Sequence, residues 1–150
     1  MGFNIVLIEP EIPTNTGNIG RLSLASGSSL HLVKPFGFEL NDKRLKRAGL
    51  DYWKHISINI YENIEDFYLR NKGANIVYFS SSATKNYISI NFQDNMFFLF
   101  GKESVGLSKE IMSENLDKLY KIPIYTKYVR SLNLANAVSI VVYEAIRNLK

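Results

Sequence analysis

Short apolar runs alternate with amphipathic stretches along this chain. Phe3-Asn4-Ile5-Val6-Leu7-Ile8, bounded by Glu9-Pro10, reads as a buried strand, and Ser29 to Val33 as a second. Between them, Thr14 to Arg21 opens a helix that runs to about Ser26 and ends at Gly27, with Ile19, Leu22 and Ala25 on one side. Ile56 to Tyr61 alternates weakly as a strand. Asn63, with Asp66 three residues on, predicts a capped helix to about Asn71, followed by a strand from Asn75 to Ser80. Ser81 to Asp94 is rich in Ser and Asn and has no strong period, so loop with a little extended chain is expected. Asn95 to Phe100 is apolar on both faces, as a central strand covered on both sides would be, and stops at Gly101. Ser108 then caps a helix to about Asn115, and Leu119 to Ile124 returns as a strand.

The last helix carries the clearest period. With Leu134 at zero and a hundred degrees per residue, Leu134, Ala135, Val138, Val141, Val142, Ala145, Ile146 and Leu149 fall in one wide arc. The opposite side is polar at Asn136, Glu144 and Arg147 but interrupted by Ile140 and Tyr143. A partner subunit would cover those two; scattered surface apolar residues are the alternative. Strands alternating with helices at these intervals imply an α/β fold, a mostly parallel sheet with helices on both faces. Ligands in such folds sit at the carboxyl edge of the strands, which selects the loops Glu9 to Asn18, Gly101 to Leu107 and Tyr125 to Asn133.

Composition narrows the classes. The 150 residues, 46% hydrophobic and 21% charged, are those of an ordinary globular domain, and a single domain is expected. No cysteine is present, which excludes disulfides, thiolate catalysis and Cys-ligated metal and agrees with a reducing cytosol. No apolar run approaches bilayer length and no signal peptide opens the chain, so a cytoplasmic protein with no membrane partner is expected. The net charge of +4 points toward a polyanion. Lys43, Arg44, Lys46 and Arg47 crowd together ahead of Tyr52, Trp53, Lys54 and His55, a mixture of cations and flat rings suited to nucleic acid. A solvated helix face with its aromatics turned inward gives the same pattern.

Thr14-Asn15-Thr16-Gly17-Asn18-Ile19-Gly20-Arg21 stands at a helix N-terminus that favours an anion, yet lacks the glycine spacing of a dinucleotide fingerprint. Thr14 to Asn18 is similar to the phosphate loop of flavodoxins, so a flavodoxin-like FMN electron carrier is one reading; a colourless preparation would count against it. Ser131 and Asn133 both qualify as caps of the last helix. One cap suffices, which leaves the other polar group for a ligand.

Three segments taken together are more specific. Asn15-x-Gly17-Asn18-x-x-Arg21, Phe100-Gly101-Lys102-Glu103-Ser104-Val105-Gly106-Leu107, and Ile122-Pro123-Ile124 through Arg130-Ser131-Leu132-Asn133-Leu134 to Val138 resemble the SPOUT family of RNA methyltransferases in order, spacing and placement. Glu9-Pro10-Glu11-Ile12-Pro13 and Asp42-Lys43-Arg44 through Ala48-Gly49-Leu50-Asp51-Tyr52 resemble the subgroup that methylates the ribose 2′-hydroxyl of the wobble nucleotide in leucine tRNAs.

That resemblance implies a C-terminal trefoil knot holding S-adenosylmethionine, which leaves as S-adenosylhomocysteine, and a homodimer through the last helix. It implies a cofactor pocket from Phe79, Gly101 with Glu103, and Ile122, closed by Ser131 and Leu132. It gives Arg21 to the ribose hydroxyl. Because a guanidinium stays protonated, Arg21 is expected to grip a flanking phosphate and orient that hydroxyl, with a phosphate oxygen or water taking the proton. Asn15, Ser131 and Asn133 are neutral hydrogen-bonders suited to ribose and cofactor, or else helix caps. Glu103 can accept from cofactor or from loop amides. Arg44, Arg47 and Arg130, with Arg21, are the expected contacts to tRNA. No metal is called for, since a thioether leaves as a neutral group, and His31 and His55 need no ligand role. A ribosomal RNA methyltransferase of the same fold and a non-catalytic RNA-binding protein are the remaining alternatives.

Overall fold

The computed structural model describes residues 2–150, with the side chains of residues 49–51 outside the described set. The Gly49-Leu50-Asp51 part of the subgroup resemblance therefore lies outside the described side chains. The strands are β1 (Asn4–Ile8), β2 (Ser29–Val33), β3 (Ile58–Tyr61), β4 (Ile76–Phe79), β5 (Lys85–Asn86), β6 (Phe97–Phe100) and β7 (Leu119–Lys121). They form one sheet in the order β3-β2-β1-β6-β4-β7-β5, and every pairing is parallel. The helices are α1 (Pro13–Ala25), α2 (Lys43–Gly49), α3 (Ile64–Arg70), α4 (Lys109–Glu114) and α5 (Leu134–Leu149), with a 3-10 segment Leu50–His55 after α2.

Alternation along β1 explains the layers. Ile5 and Leu7 face a core completed by Ile19 of α1 and by Val138, Val141, Val142 and Ala145 of α5. Val6 and Ile8 face a second core completed by Phe67 of α3, with Ile111 and Met112 of α4 at its margin. Each buried aliphatic side chain contributes about 2 kcal/mol of transfer free energy, so neither layer is dispensable. On α5 Val138, Val141, Val142 and Ala145 of the predicted arc are buried, while Leu134, Ala135, Ile146 and Leu149, nearer the helix ends, are partly buried against the same core. Ile140 and Tyr143 remain on the outer side, 37% and 49% exposed.

Local chemistry moves some boundaries. The last strand ends at Lys121 rather than Ile124, because Pro123 has no N–H to donate to a ladder. The central strand starts at Phe97, since Asn95 takes a left-handed φ of 64°. Helix α1 begins at Pro13, one residue earlier than expected, where a missing N–H costs nothing. Asn63 does accept from the Asp66 N–H, and Gly27, with φ 69°, ends α1.

A consequence of strand order sets up the site. β1, β6, β4 and β7 are neighbours and parallel, so the segments after their carboxyl ends emerge side by side on one edge.

Candidate active site

Those segments enclose a cavity of about 570 Å³. Ile12 and Asn15 come from the segment after β1 and the start of α1, Phe79 to Ser82 from the end of β4, Phe100 to Gly106 from β6, and Ile122, Ile124 and Arg130 to Leu134 from the connection after β7. All six residues expected at the cofactor, Phe79, Gly101, Glu103, Ile122, Ser131 and Leu132, line it. Asn15, Asn133 and Arg130 line it too, whereas Arg21, Arg44 and Arg47 do not.

The loop after β6 has a glycine requirement. A Cβ on Gly101 would overlap the Gly106 carbonyl carbon and the Leu107 nitrogen. The loop doubles back on itself there, closed by the Gly106 N–H donating to the Lys102 carbonyl at 2.8 Å, with Gly106 at φ 70°.

Two carboxylates fasten this loop to the segment after β1. The Glu103 carboxylate accepts from the backbone N–H groups of Glu11 at 2.8 Å and Ile12 at 3.0 Å. In return the Glu11 carboxylate accepts the Ser104 N–H at 2.8 Å and the Ser104 hydroxyl at 3.0 Å. The Ser104 backbone N–H, then its hydroxyl, with Lys102 adding a smaller attraction, hold the Glu11 carboxyl below its ordinary pKa. Glu103 thus accepts from backbone amides of the segment after β1 while also lining the cavity.

A directional chain continues from Glu103. A carboxylate only accepts, so the Asn15 amide turns its Nδ2 toward Glu103 Oε1, at 3.5 Å. Asn15 Oδ1 then faces Asn133, whose Nδ2 donates to it at 3.0 Å. That orientation leaves Asn133 Oδ1 to accept the Asn136 N–H at 3.2 Å and cap α5. Asn133 is thus the cap, and Ser131, exposed on the cavity rim, is the spare polar group.

The walls are apolar or neutral apart from Glu103 and Arg130. A volume in the range of small-molecule sites, three serines after β4, and aromatic and aliphatic walls suit an adenosine with a polar tail. Among the described residues no cluster of three His, Cys, Asp or Glu side chains is arranged for a metal. Sequence reasoning missed Ser80, Ser81 and Ser82 and the strap made by Glu11. The serines were within reach of the rule that puts ligands after parallel strands; Glu11 meets Ser104 across 93 positions and leaves no local sign.

Outside the cavity, Arg21 is exposed and its guanidinium lies 5.3 Å from the centre of the Tyr52 ring. It stands six residues beyond Asn15 on α1, on a different face. Arg44 is held by Asp42 through hydrogen bonds of 3.2 and 3.0 Å, while Arg47 is exposed. Leu45 is buried and the Trp53 ring packs so closely on Gly20 that a Cβ there would come within 2.8 Å of it. In the basic segment the cations face outward, Trp53 faces inward, and Tyr52 stays 44% exposed.

Known proteins share this fold. A solved structure described as "Structural insights into the 2-OH methylation of C/U34 on tRNA" superposes with a TM-score of 0.94 at 40% identity, covering 99% of this chain and 96% of that one. An AdoMet-bound rRNA methyltransferase from Sinorhizobium meliloti superposes with a TM-score of 0.87 at 28% identity, over 99% of this chain and 57% of the other. A Saccharophagus degradans protein named tRNA (cytidine(34)-2'-O)-methyltransferase is 43% identical over 148 residues, 98% of this chain and 96% of its own length. No described helix is long and apolar enough to cross a membrane. Residues 2–143 match the SpoU rRNA Methylase family model, and with the flavodoxin-like alternative thereby set aside, the chain belongs to that family.

Proposed function

We propose that this protein methylates the ribose 2′-hydroxyl of the wobble nucleotide of tRNA, in leucine acceptors, with S-adenosylmethionine as donor. The observation that carries the reading is the convergence of four carboxyl-edge segments on one largely neutral cavity, joined by the chain from Glu103 through Asn15 to Asn133. Similarity along nearly the whole length to proteins named for this reaction supports it. A single catalytic domain over residues 1–150, working in the cytoplasm, is part of the same reading. So is the trefoil knot, supported by β7 entering the sheet between β4 and β5, which both precede it in the chain. So is a homodimer, supported by the exposed Ile140 and Tyr143 on α5.

S-adenosylmethionine supplies an electrophilic methyl whose leaving group is a neutral thioether, so alignment is the main demand on the protein. Phe79, Gly101, Ile122 and Leu132 form the walls that hold the donor. Glu103 keeps the segments after β1 and β6 together, and Asn15 and Asn133 hold the start of α5 against α1. The Ser131 hydroxyl is free to accept or donate at the rim. Arg130 and Arg21 bind phosphates flanking the target, Arg21 orienting the hydroxyl, whose proton passes to a phosphate oxygen or water as the C–O bond forms. Arg44 and Arg47 extend the RNA contact.

Two experiments test this. Nucleoside mass spectrometry of leucine tRNAs from cells lacking the protein should show loss of the wobble ribose methyl; its retention refutes the substrate assignment. A pH–rate series on Arg21→Lys should show a large loss of turnover with cofactor affinity intact, and unchanged turnover removes Arg21 from the mechanism.

A further inference from the structure

Between β7 and α5 the chain displays two tyrosines to solvent. Tyr125 is 94% and Tyr128 87% exposed, whereas the other seven tyrosines are half-exposed or less. Leaving such rings in water forgoes the transfer free energy of burial, so this segment is built to meet something. Its position says where. Ile124 on one side and Arg130 on the other line the cavity, so residues 125–129 stand on its rim. The Tyr128 N–H donates to Thr126 Oγ1 at 3.2 Å, which turns the chain between the two rings.

Charge says what. Lys127 Nζ lies 5.7 Å from the Tyr128 ring centre. Residues 118–143 contain Lys118, Lys121, Lys127 and Arg130 and no acidic residue. A second copy of this chain meeting the same patch about a two-fold axis would set like charges together, and protein interface cores are depleted in lysine. Unpaired nucleobases on a phosphate backbone answer both features, because every base has a face to stack and each phosphate a charge to neutralise. Three residues of extended chain reach at most about 10 Å, a span suited to neighbouring nucleotides.

We propose that Tyr125 and Tyr128 form a stacking platform for unpaired bases beside the reacting ribose, with Lys127 and Arg130 on the intervening phosphates. This rests on the methyl-transfer reading for the ribose, but not for the stacking itself. The test uses a leucine anticodon stem-loop carrying 2-aminopurine next to the wobble position. Wild type should quench its fluorescence on binding. The Tyr125→Ala/Tyr128→Ala double variant should lose the quench and bind at least about tenfold more weakly, with the increase in KM rather than kcat. Tyr125→Phe/Tyr128→Phe should retain both properties. Calorimetry should find S-adenosylmethionine affinity within about twofold of wild type in all variants, since neither ring lines the cavity. Stem-loop binding and quenching unchanged in the double alanine variant overturn the platform. So does sedimentation showing that this variant has lost a dimer that wild type forms, which would make the rings a subunit contact. Wild type that binds and quenches yet transfers no methyl refutes the activity and leaves the platform standing.

Discussion

Asn133 joins two functions that substitution can separate. Its Oδ1 caps α5 and its Nδ2 donates to Asn15. Asn133→Ser keeps a capping oxygen but is too short to reach Asn15, and so removes one side-chain hydrogen bond, about 1 kcal/mol. Asn133→Ala removes the cap as well, a further loss of about 1 kcal/mol. For a chain of this size each kcal/mol lowers Tm by about 2–4 °C, so the serine variant should melt about 2–4 °C and the alanine variant about 4–8 °C below wild type. Activity should divide differently. Both variants free Asn15 from α5, and a misplacement of about 1 Å at a reacting centre costs on the order of 10²-fold. Serine should therefore recover much of the stability and little of the turnover. Thermal melting beside methyl transfer to a tRNA stem-loop measures both. Equal melting of the two variants would refute the cap, and wild-type turnover in the serine variant would refute the role of the Asn15–Asn133 bond.

Two further outcomes follow from charge. His31 is buried, with ring nitrogens 2.8 Å from the Tyr61 hydroxyl and 3.0 Å from Asn4 Oδ1; burial first, and Arg70 second, pull its pKa from 6.5 to about 4. The unfolded chain binds this proton before the folded one does, so stability is full above about pH 6.5 and falls as the pH descends toward 4, by roughly 3 kcal/mol in all. Tm against pH for wild type and His31→Gln checks this, and parallel curves across that window would contradict it. In the basic segment, Arg44 is already occupied by Asp42 while Arg47 is exposed. Arg47→Gln should lower the slope of log K for tRNA against log salt by about 0.7–0.9, and Arg44→Gln by less. Equal changes in the two titrations would show that the Asp42 pair does not persist when RNA binds.

The frame of the fold was legible because it is periodic. Short apolar runs and an apolar arc of about four turns report on burial locally, and they placed β1, β2 and α5 nearly to the residue. Boundaries shifted where one residue's backbone chemistry overrode the run, as Pro123 does by ending β7 and Asn95 by its left-handed φ. The cavity was legible for a different reason: parallel strands deliver their following loops to one edge, and the motifs fell in those loops.

What could not be read locally was the choice between equivalent polar groups. Ser131 and Asn133 are equally good caps by residue type, and only Asn133 has a second, amide end. That end is useful solely because Asn15 presents an oxygen, and Asn15 does so because Glu103 accepts and cannot donate. Glu103 in turn stands where it does because Gly101 lets the loop after β6 fold back on itself. The assignment of Ser131 as the free hydroxyl thus descends through four residues from three parts of the chain. Substituting Glu103 by Gln should loosen that order, since a Gln amide can meet Asn15 in either orientation and cannot accept from both backbone N–H groups through two oxygens.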